Sequence, residues 1–116
     1  MDATASLRFA RISPRKARLV ADVVRGKPAG AAVESLQFLD KKSAPMIAKL
    51  VESAIANAEQ AAKLANRDLD LDSLVIKRIE VGQASSMRRF RPRAQGRATP
   101  IVKKTAHITV VIGEEA

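Results

Sequence analysis

The sequence predicts an α+β fold in which a three-stranded antiparallel sheet packs on three helices and carries a long, extended β-hairpin. Three observations support this fold class. Apolar residues recur at helical spacing in three segments between residues 14 and 62. Strand-like apolar patterns occupy one segment before these helices and two after them. Residues 82–105, between the last two strands, are polar and rich in arginine, and the chain of 116 residues has the length of one domain.

The first strand is predicted at Ala5–Arg11. Leu7 and Phe9 fall on one side of an alternating pattern whose other side carries polar residues such as Arg8. This is the pattern of a strand with one buried face, so we expect Leu7 and Phe9 to contribute to the core.

The first helix is predicted to begin at Ser13-Pro14. The Ser13 side chain can accept a hydrogen bond from a free N–H group of the first turn, and Pro14 suits the first helical position because no N–H donor is needed there. Gly26 is predicted to end the helix in a left-handed backbone conformation. The apolar stripe of this helix comprises Leu19, Val20, Val23 and Val24.

Two further helices follow. Lys27-Pro28 opens a shorter one that extends to about Phe38 and is weakened by Gly30. Ser43 is predicted to cap the longest helix, whose alanine-rich stripe would let another element pack unusually close. The stripe comprises Ile47, Leu50, Val51, Ala54, Ile55, Ala58 and Ala62.

Two strands are predicted after a polar turn, at Leu74–Val81 and Ile101–Ile112. The segment between them is too long for a structureless loop in a compact domain. We predict that residues 82–105 form a hairpin with its tip near Pro92–Gly96, where proline and glycine favour a turn. Arms of about 12 residues, at ~3.3 Å per residue, would extend on the order of 40 Å from a globular part formed by about residues 1–81 and 106–113. The buried side of the last strand comprises Ala106, Ile108, Val110 and Ile112.

The charge of the chain is concentrated in two segments. Lys and Arg number 21 against 12 Asp and Glu, a net charge of +9. Residues 1–28 hold seven basic and two acidic groups, residues 29–80 hold seven and eight, and residues 81–113 hold seven and none. Two basic segments that flank a neutral middle indicate a binding surface for a polyanion.

The arginine-rich ribbon is the most informative of these segments. Five arginines without an acidic partner lie within residues 88–97, and they would repel one another if left free in solution. Guanidinium groups bind phosphate bidentately and stack on bases, so this pattern favours nucleic-acid binding over a solvated loop. Phe90 has two interpretations, stacking on an unpaired base or packing across the ribbon. The basic residues are Arg88, Arg89, Arg91, Arg93 and Arg97.

The first helix carries a second basic patch. Arg15 and Lys16 lie in its first turn, where the helix dipole disfavours positive charge. Phosphates gathered at the free N–H groups would compensate for this. The alternative is that Arg15 and Arg18 merely solvate an amphipathic helix.

Catalytic, metal and membrane functions are not expected. The chain has no cysteine and a single histidine, His107, so the sequence holds no disulfide, cysteine-based zinc site or histidine cluster. Asp68–Asp72 resembles the start of a calcium loop but lacks the later glycine and glutamate, and Gly26-Lys27 lacks the rest of a phosphate loop. Neither a signal peptide nor an apolar run of about 20 residues is present. We expect no enzyme activity, no cofactor and no metal.

Five segments resemble one known family. They read RISPRKARLVAD at residues 11–22, RGK at 25–27, SAIANAE at 53–59, RFRPRAQGR at 89–97 and KKTAHITVV at 103–111. In this order they resemble the family of bacterial large-subunit ribosomal protein L twenty-two, along nearly the whole chain. Ala106 stands where the family usually has serine, and residues 82–86 are looser than the family's Gly-Pro-Thr run.

The resemblance implies a function in the large ribosomal subunit. A globular domain on the outside of the subunit would bind 23S rRNA and support assembly, while the hairpin lines the nascent-peptide exit tunnel. The implied partners are 23S rRNA, neighbouring large-subunit proteins and the nascent polypeptide, in the cytoplasmic ribosome, with no membrane and no homo-oligomer. The implied rRNA contacts, besides Phe90 and the arginines of the ribbon, are Arg11, Ser13, Arg15, Lys16, Arg18, Arg25, Lys27, Asn57, Lys103, Lys104, Thr105 and His107. The implied tunnel-lining tip comprises Arg88, Arg89, Arg91, Pro92, Arg93, Ala94, Gln95, Gly96 and Arg97.

Two alternatives from other classes remain. The alanine-rich helix could dock a partner helix in an interaction adaptor whose charge serves solubility only. A free DNA-binding regulator is less favoured, because nothing in the sequence suggests a dimer or paired half-sites. Salt-sensitive binding to folded RNA would separate rRNA binding from the adaptor.

Overall fold

The computed structural model describes residues 2–84, 87–92 and 98–114, with side chains described for residues 2–84 and 104–114. It confirms the predicted α+β fold. The elements in chain order are β1 (Asp2–Ala10), α1 (Pro14–Val24), α2 (Ala29–Gln37), α3 (Ser43–Leu64), a 3-10 turn (Leu71–Ser73), β2 (Leu74–Gln83), β3 (Met87–Pro92), β4 (Ala98–Lys103) and β5 (Ala106–Glu114). Within the described ranges, none of these helices has the length and apolar character that a membrane span requires.

The main sheet has three antiparallel strands in the order β1-β5-β2. Its central strand, β5, buries the four side chains that the sequence predicted, from Ala106 to Ile112. The predicted single strand Ile101–Ile112 is wrong in one respect: the chain leaves the strand at Lys104 and Thr105, which separates β4 from β5.

A separate two-stranded ribbon lies in the chain between β2 and β5. β3 and β4 pair antiparallel from Met87 opposite Lys103 to Pro92 opposite Ala98. The amide of Ala84 donates to the carbonyl of Thr105 at 3.0 Å, which links the ribbon to the main sheet. The hairpin therefore continues the strands that the sheet core holds in place.

The three helices pack together with the sheet, and α3 is central among them. Ile47, Val51 and Ala54 of α3 are completely buried, and α3 contacts both β1 and β5. The alanine-rich stripe thus packs inside the protein, which removes the helix face that the adaptor alternative needs.

The apolar stripe predicted for α1 is partly wrong. Leu19 and Val23 are 60% and 40% exposed, whereas Ala17 and Ala21 are completely buried beside Val20 and Val24. Small alanine side chains let α1 approach the sheet closely, so the buried face is rotated toward them and the larger Leu19 is left outside.

The predicted end of α1 and the predicted cap of α3 have different outcomes. Gly26 has φ +80°, the left-handed conformation expected of it, and its amide donates to the carbonyl of Ile76 at 3.0 Å. Ser43, in contrast, is the first residue of α3 and is buried, while Lys42 occupies the cap position. The prediction that Ser43 caps α3 is therefore wrong.

An ion pair fixes the outer strands of the sheet to each other. Lys77 of β2 donates to Asp2 of β1 at 2.9 Å, across the central strand at Gly113. This hydrogen bond lowers the pKa of Asp2, and burial opposes the shift in part. A side chain at Gly113 would overlap the Asp2 carboxylate and force the ion pair to shift.

The tight packing of α3 can be tested by overpacking. Ala54→Leu is expected to reduce the free energy of unfolding by about 1–3 kcal/mol, because the added atoms have no space in the core. Ala56→Leu is the matched control, since Ala56 lies on the exposed side of the same helix. Denaturant unfolding measures both variants, and equal stability of the two would place Ala54 outside the core.

Candidate nucleic-acid interface

Three segments that are far apart in the sequence meet at one open groove. They are the start of α1, the turn before α3 and the turn between β4 and β5. The groove has a volume of about 750 Å³. We call it the basic groove. Its lining residues are Arg11, Ile12, Ser13, Lys16, Leu19, Asp40, Lys41, Lys42, Ser43 and Lys104.

The electrostatics of the basic groove favour an anion. Its lining includes five basic side chains and one carboxylate, that of Asp40. Ion pairs among the residues with described side chains join Arg25 to Asp22, Lys77 to Asp2 and Arg78 to Glu80, and none uses a basic side chain of the groove. These unpaired cations repel one another, so a bound polyanion would relieve an unfavourable field. The five are Arg11, Lys16, Lys41, Lys42 and Lys104.

The start of α1 adds backbone donors to this groove. Ser13 occupies the cap position but its side chain makes no capping hydrogen bond, and the first turn contains no acidic residue. Arg15 and Lys16 of that turn are exposed. The free N–H groups at this helix end can therefore bind phosphate together with the basic side chains around them.

Two other predicted rRNA contacts brace α1 against β2. The Arg18 side chain donates to the carbonyl of Val81 at 3.2 Å. The Arg25 side chain donates to the carbonyl of Ile79 at 2.9 Å and forms the ion pair with Asp22. Both arginines thus have structural roles within the protein, and their contact with rRNA stays a prediction.

The remaining predicted contacts on the globular part are dispersed. Asn57 of α3 donates to the carbonyl of Thr4 at 3.0 Å, which holds α3 on β1. Lys27 is exposed at the turn between α1 and α2, whereas Thr105 is buried. The His107 Nδ1 accepts a hydrogen bond from the Phe9 amide at 3.1 Å. The structure does not bring these four residues, Asn57, Lys27, Thr105 and His107, into the basic groove.

Some of the predicted contacts on the ribbon lie on the described strands β3 and β4, and the others do not. Arg88, Arg89, Phe90, Arg91 and Pro92 lie on β3. Lys103 is the last residue of β4, opposite Met87. The other predicted tip residues, Arg93, Ala94, Gln95, Gly96 and Arg97, lie outside the described residues.

Sequence reasoning missed two basic residues of the groove. Lys41 and Lys42 lie in a segment whose net charge is close to neutral, so the averaged charge concealed them. A pair of lysines directly before the longest helix was the available signal. Leu19 was also missed as a groove residue because the helical pattern assigned it to the core.

The aspartate-rich turn provides no metal site. The Asp70 side chain accepts a hydrogen bond from the Asp72 amide at 3.0 Å, which shapes the 3-10 turn before β2. Across the part of the chain that the structure describes, no group of three or more His, Asp or Glu side chains could hold a metal ion.

Comparison with known proteins identifies the family of the chain. Residues 5–113 match the sequence profile of the family described as ribosomal protein L22p/L17e. The chain is also 53% identical over 115 residues to the large ribosomal subunit protein uL22 of Bdellovibrio bacteriovorus strain HD100, covering 99% of this chain and 100% of that relative. These matches confirm the resemblance that the sequence motifs indicate. The chain belongs to the ribosomal protein L22p/L17e family.

Proposed function

We propose that this protein is a structural constituent of the large ribosomal subunit that binds 23S rRNA and supports subunit assembly. Its neighbours would be large-subunit proteins and the nascent polypeptide, in the cytoplasmic ribosome. The basic groove would hold the globular part on rRNA, and the ribbon would extend inward so that its tip lines the peptide exit tunnel. Every part of this function is binding, and none requires a catalytic residue.

The observation that carries this proposal is the convergence in the basic groove of basic side chains that make no ion pair with any described side chain. Lys16, Lys41 and Lys104 come from three separate segments, and all three are exposed. Folding has therefore collected positive charge at one place, although charges of like sign oppose such a cluster. A nucleic-acid backbone carries a series of phosphates and can therefore compensate several separate cations at once, whereas a single small anion cannot.

The ribbon supports the second half of the proposal. β3 and β4 form a second, two-stranded sheet, and the molecule measures 67 Å along its longest axis against 27 and 18 Å across it. The ribbon segment carries six basic residues between Arg88 and Lys103 and no acidic one. Such a positively charged projection suits insertion between RNA helices.

The salt dependence of RNA binding tests the proposal. The full-length protein and large-subunit rRNA are mixed over a series of salt concentrations, and the affinity is measured by filter binding. We expect the logarithm of the affinity to fall steeply with the logarithm of the salt concentration, because several condensed counterions are released on binding. Binding that is weak and insensitive to salt would contradict rRNA binding.

A further inference from the structure

Phe9 occupies an unusual position at the end of β1. The pairing of β1 with β5 shifts register between Leu7 and Ala10, and Phe9 has φ +55° at this irregularity. A bulky residue rarely adopts this left-handed conformation, which is characteristic of strained positions with a functional role. The shift carries the Phe9 ring out of the core, where it is 58% exposed. The prediction that Phe9 belongs to the core is therefore wrong.

His107 holds the Phe9 ring in place from the neighbouring strand. The two ring centroids are 4.6 Å apart with an angle of 83° between the ring planes. The Phe9 amide donates to His107 Nδ1 at 3.1 Å, so the proton of the neutral imidazole lies on Nε2. The ring contact and the backbone hydrogen bond together hold Phe9 beside His107, and among the described residues Nε2 makes no hydrogen bond.

The edge-to-face geometry leaves a ring surface of Phe9 open. If the edge of the imidazole contacts one face of the Phe9 ring, the other face of that ring does not contact His107. If the edge of the Phe9 ring contacts the imidazole, neither face of the Phe9 ring contacts His107. In either case one flat apolar surface can receive another ring. Arg8 and Arg11, on either side of Phe9 in the chain, are both exposed, and Arg11 also lines the basic groove.

We propose that Phe9 and His107 form a binding site for one unpaired nucleobase of rRNA, beside the basic groove. The base stacks on the open face of Phe9, and His107 Nε2–H donates to an acceptor on the nucleotide, while Arg8 and Arg11 bind the flanking phosphates. Stacking on aromatic rings is a general way to hold unpaired bases in RNA recognition. The exposed basic side chains of Arg8 and Arg11 near Phe9 favour RNA over an apolar protein as the binding partner. This inference rests on the proposed rRNA binding.

The test compares Phe9→Leu with Phe9→Tyr in the full-length protein bound to large-subunit rRNA. We expect Phe9→Leu to weaken binding roughly five- to 150-fold, the range for loss of one stacked base. Its salt slope should equal that of the unchanged protein, because the substitution removes no group that binds phosphate. Phe9→Tyr keeps the aromatic ring and should bind like the unchanged protein.

Phe38→Leu is the matched control, because Phe38 is also an exposed aromatic residue, at the end of α2. It should leave the affinity unchanged. Equal affinities of Phe9→Leu and the unchanged protein would overturn the base site, and so would equal losses of affinity in Phe9→Leu and Phe9→Tyr, which would indicate a structural role for the original residue.

A photocrosslink on the unchanged protein keeps the test valid if a Phe9 variant fails to fold. Ultraviolet irradiation of the complex should join Phe9 to a single unpaired nucleotide, identified by mass spectrometry. A complex that forms with the expected salt slope but gives crosslinks elsewhere and none at Phe9 would overturn this inference and leave rRNA binding intact. Failure of the unchanged protein to bind rRNA would overturn both.

Discussion

Replacing Lys16, Lys41 and Lys104 together by glutamine is expected to weaken binding to large-subunit rRNA roughly a hundred- to a thousandfold at about 0.1 M salt. Each of these lysines lies in a different segment of the basic groove. For every phosphate that the variant no longer binds, the slope of log affinity against log salt should fall by roughly one unit. Filter binding across a salt series therefore gives both the decrease in affinity and the number of phosphates that these lysines bind.

The matched control is a variant with the same loss of charge elsewhere on the surface. Lys49, Lys63 and Arg67 lie outside the basic groove, so their replacement by glutamine should change the slope far less. Thermal unfolding of both variants should match the unchanged protein, because charged side chains at the surface contribute little to stability. Equal slopes for the two triple variants would mean that total charge, and not the groove, determines binding.

Removal of the ribbon is expected to separate binding from folding. Met87–Lys103 is replaced by Asn-Gly, a sequence that favours a tight hairpin turn. Among residues with described side chains, the buried apolar core lies within Ala3–Ile79 and Ala106–Ile112. Since loop length affects stability only logarithmically, the shortened protein should unfold within a few degrees of the full chain. The loss of six basic residues should reduce the salt slope by several units.

This deletion leaves Lys104 and the rest of the basic groove in place. Residual rRNA binding with a shallower salt slope is therefore expected. Calorimetric unfolding and salt-dependent binding are measured on the same preparation. A shortened protein that is unfolded at room temperature would show that the ribbon belongs to the core.

Most of the secondary structure could be predicted because apolar spacing reports which face of an element is buried. Apolar spacing predicted the buried faces of α3 and β5 correctly, because large apolar residues such as Ile47 and Ile108 mark those faces. It failed for α1, because alanine carries little weight in an apolar pattern although Ala17 and Ala21 are completely buried. The apolar pattern therefore assigned Leu19 to the buried face of α1, although the side chain is exposed.

Other features depend on contacts that no local pattern contains. The shift that exposes Phe9 results from the pairing of β1 with β5, about 100 positions apart in the sequence. The basic groove likewise joins Lys16, Lys41 and Lys104 through the packing of the helices on the sheet. Sequence reasoning found the two basic segments, whereas their meeting with Lys41 and Lys42 required the tertiary structure.

Association with large ribosomal subunits tests the proposed function most directly. Cells that express a tagged copy are lysed, and their ribosomal subunits are separated on a sucrose gradient at moderate salt, where phosphate contacts persist. We predict that the unchanged protein co-sediments with the large subunit at about one copy per subunit, and that the Lys16, Lys41 and Lys104 triple variant is depleted from that fraction. Recovery of the unchanged protein at the top of the gradient, free of large subunits, would contradict the proposal.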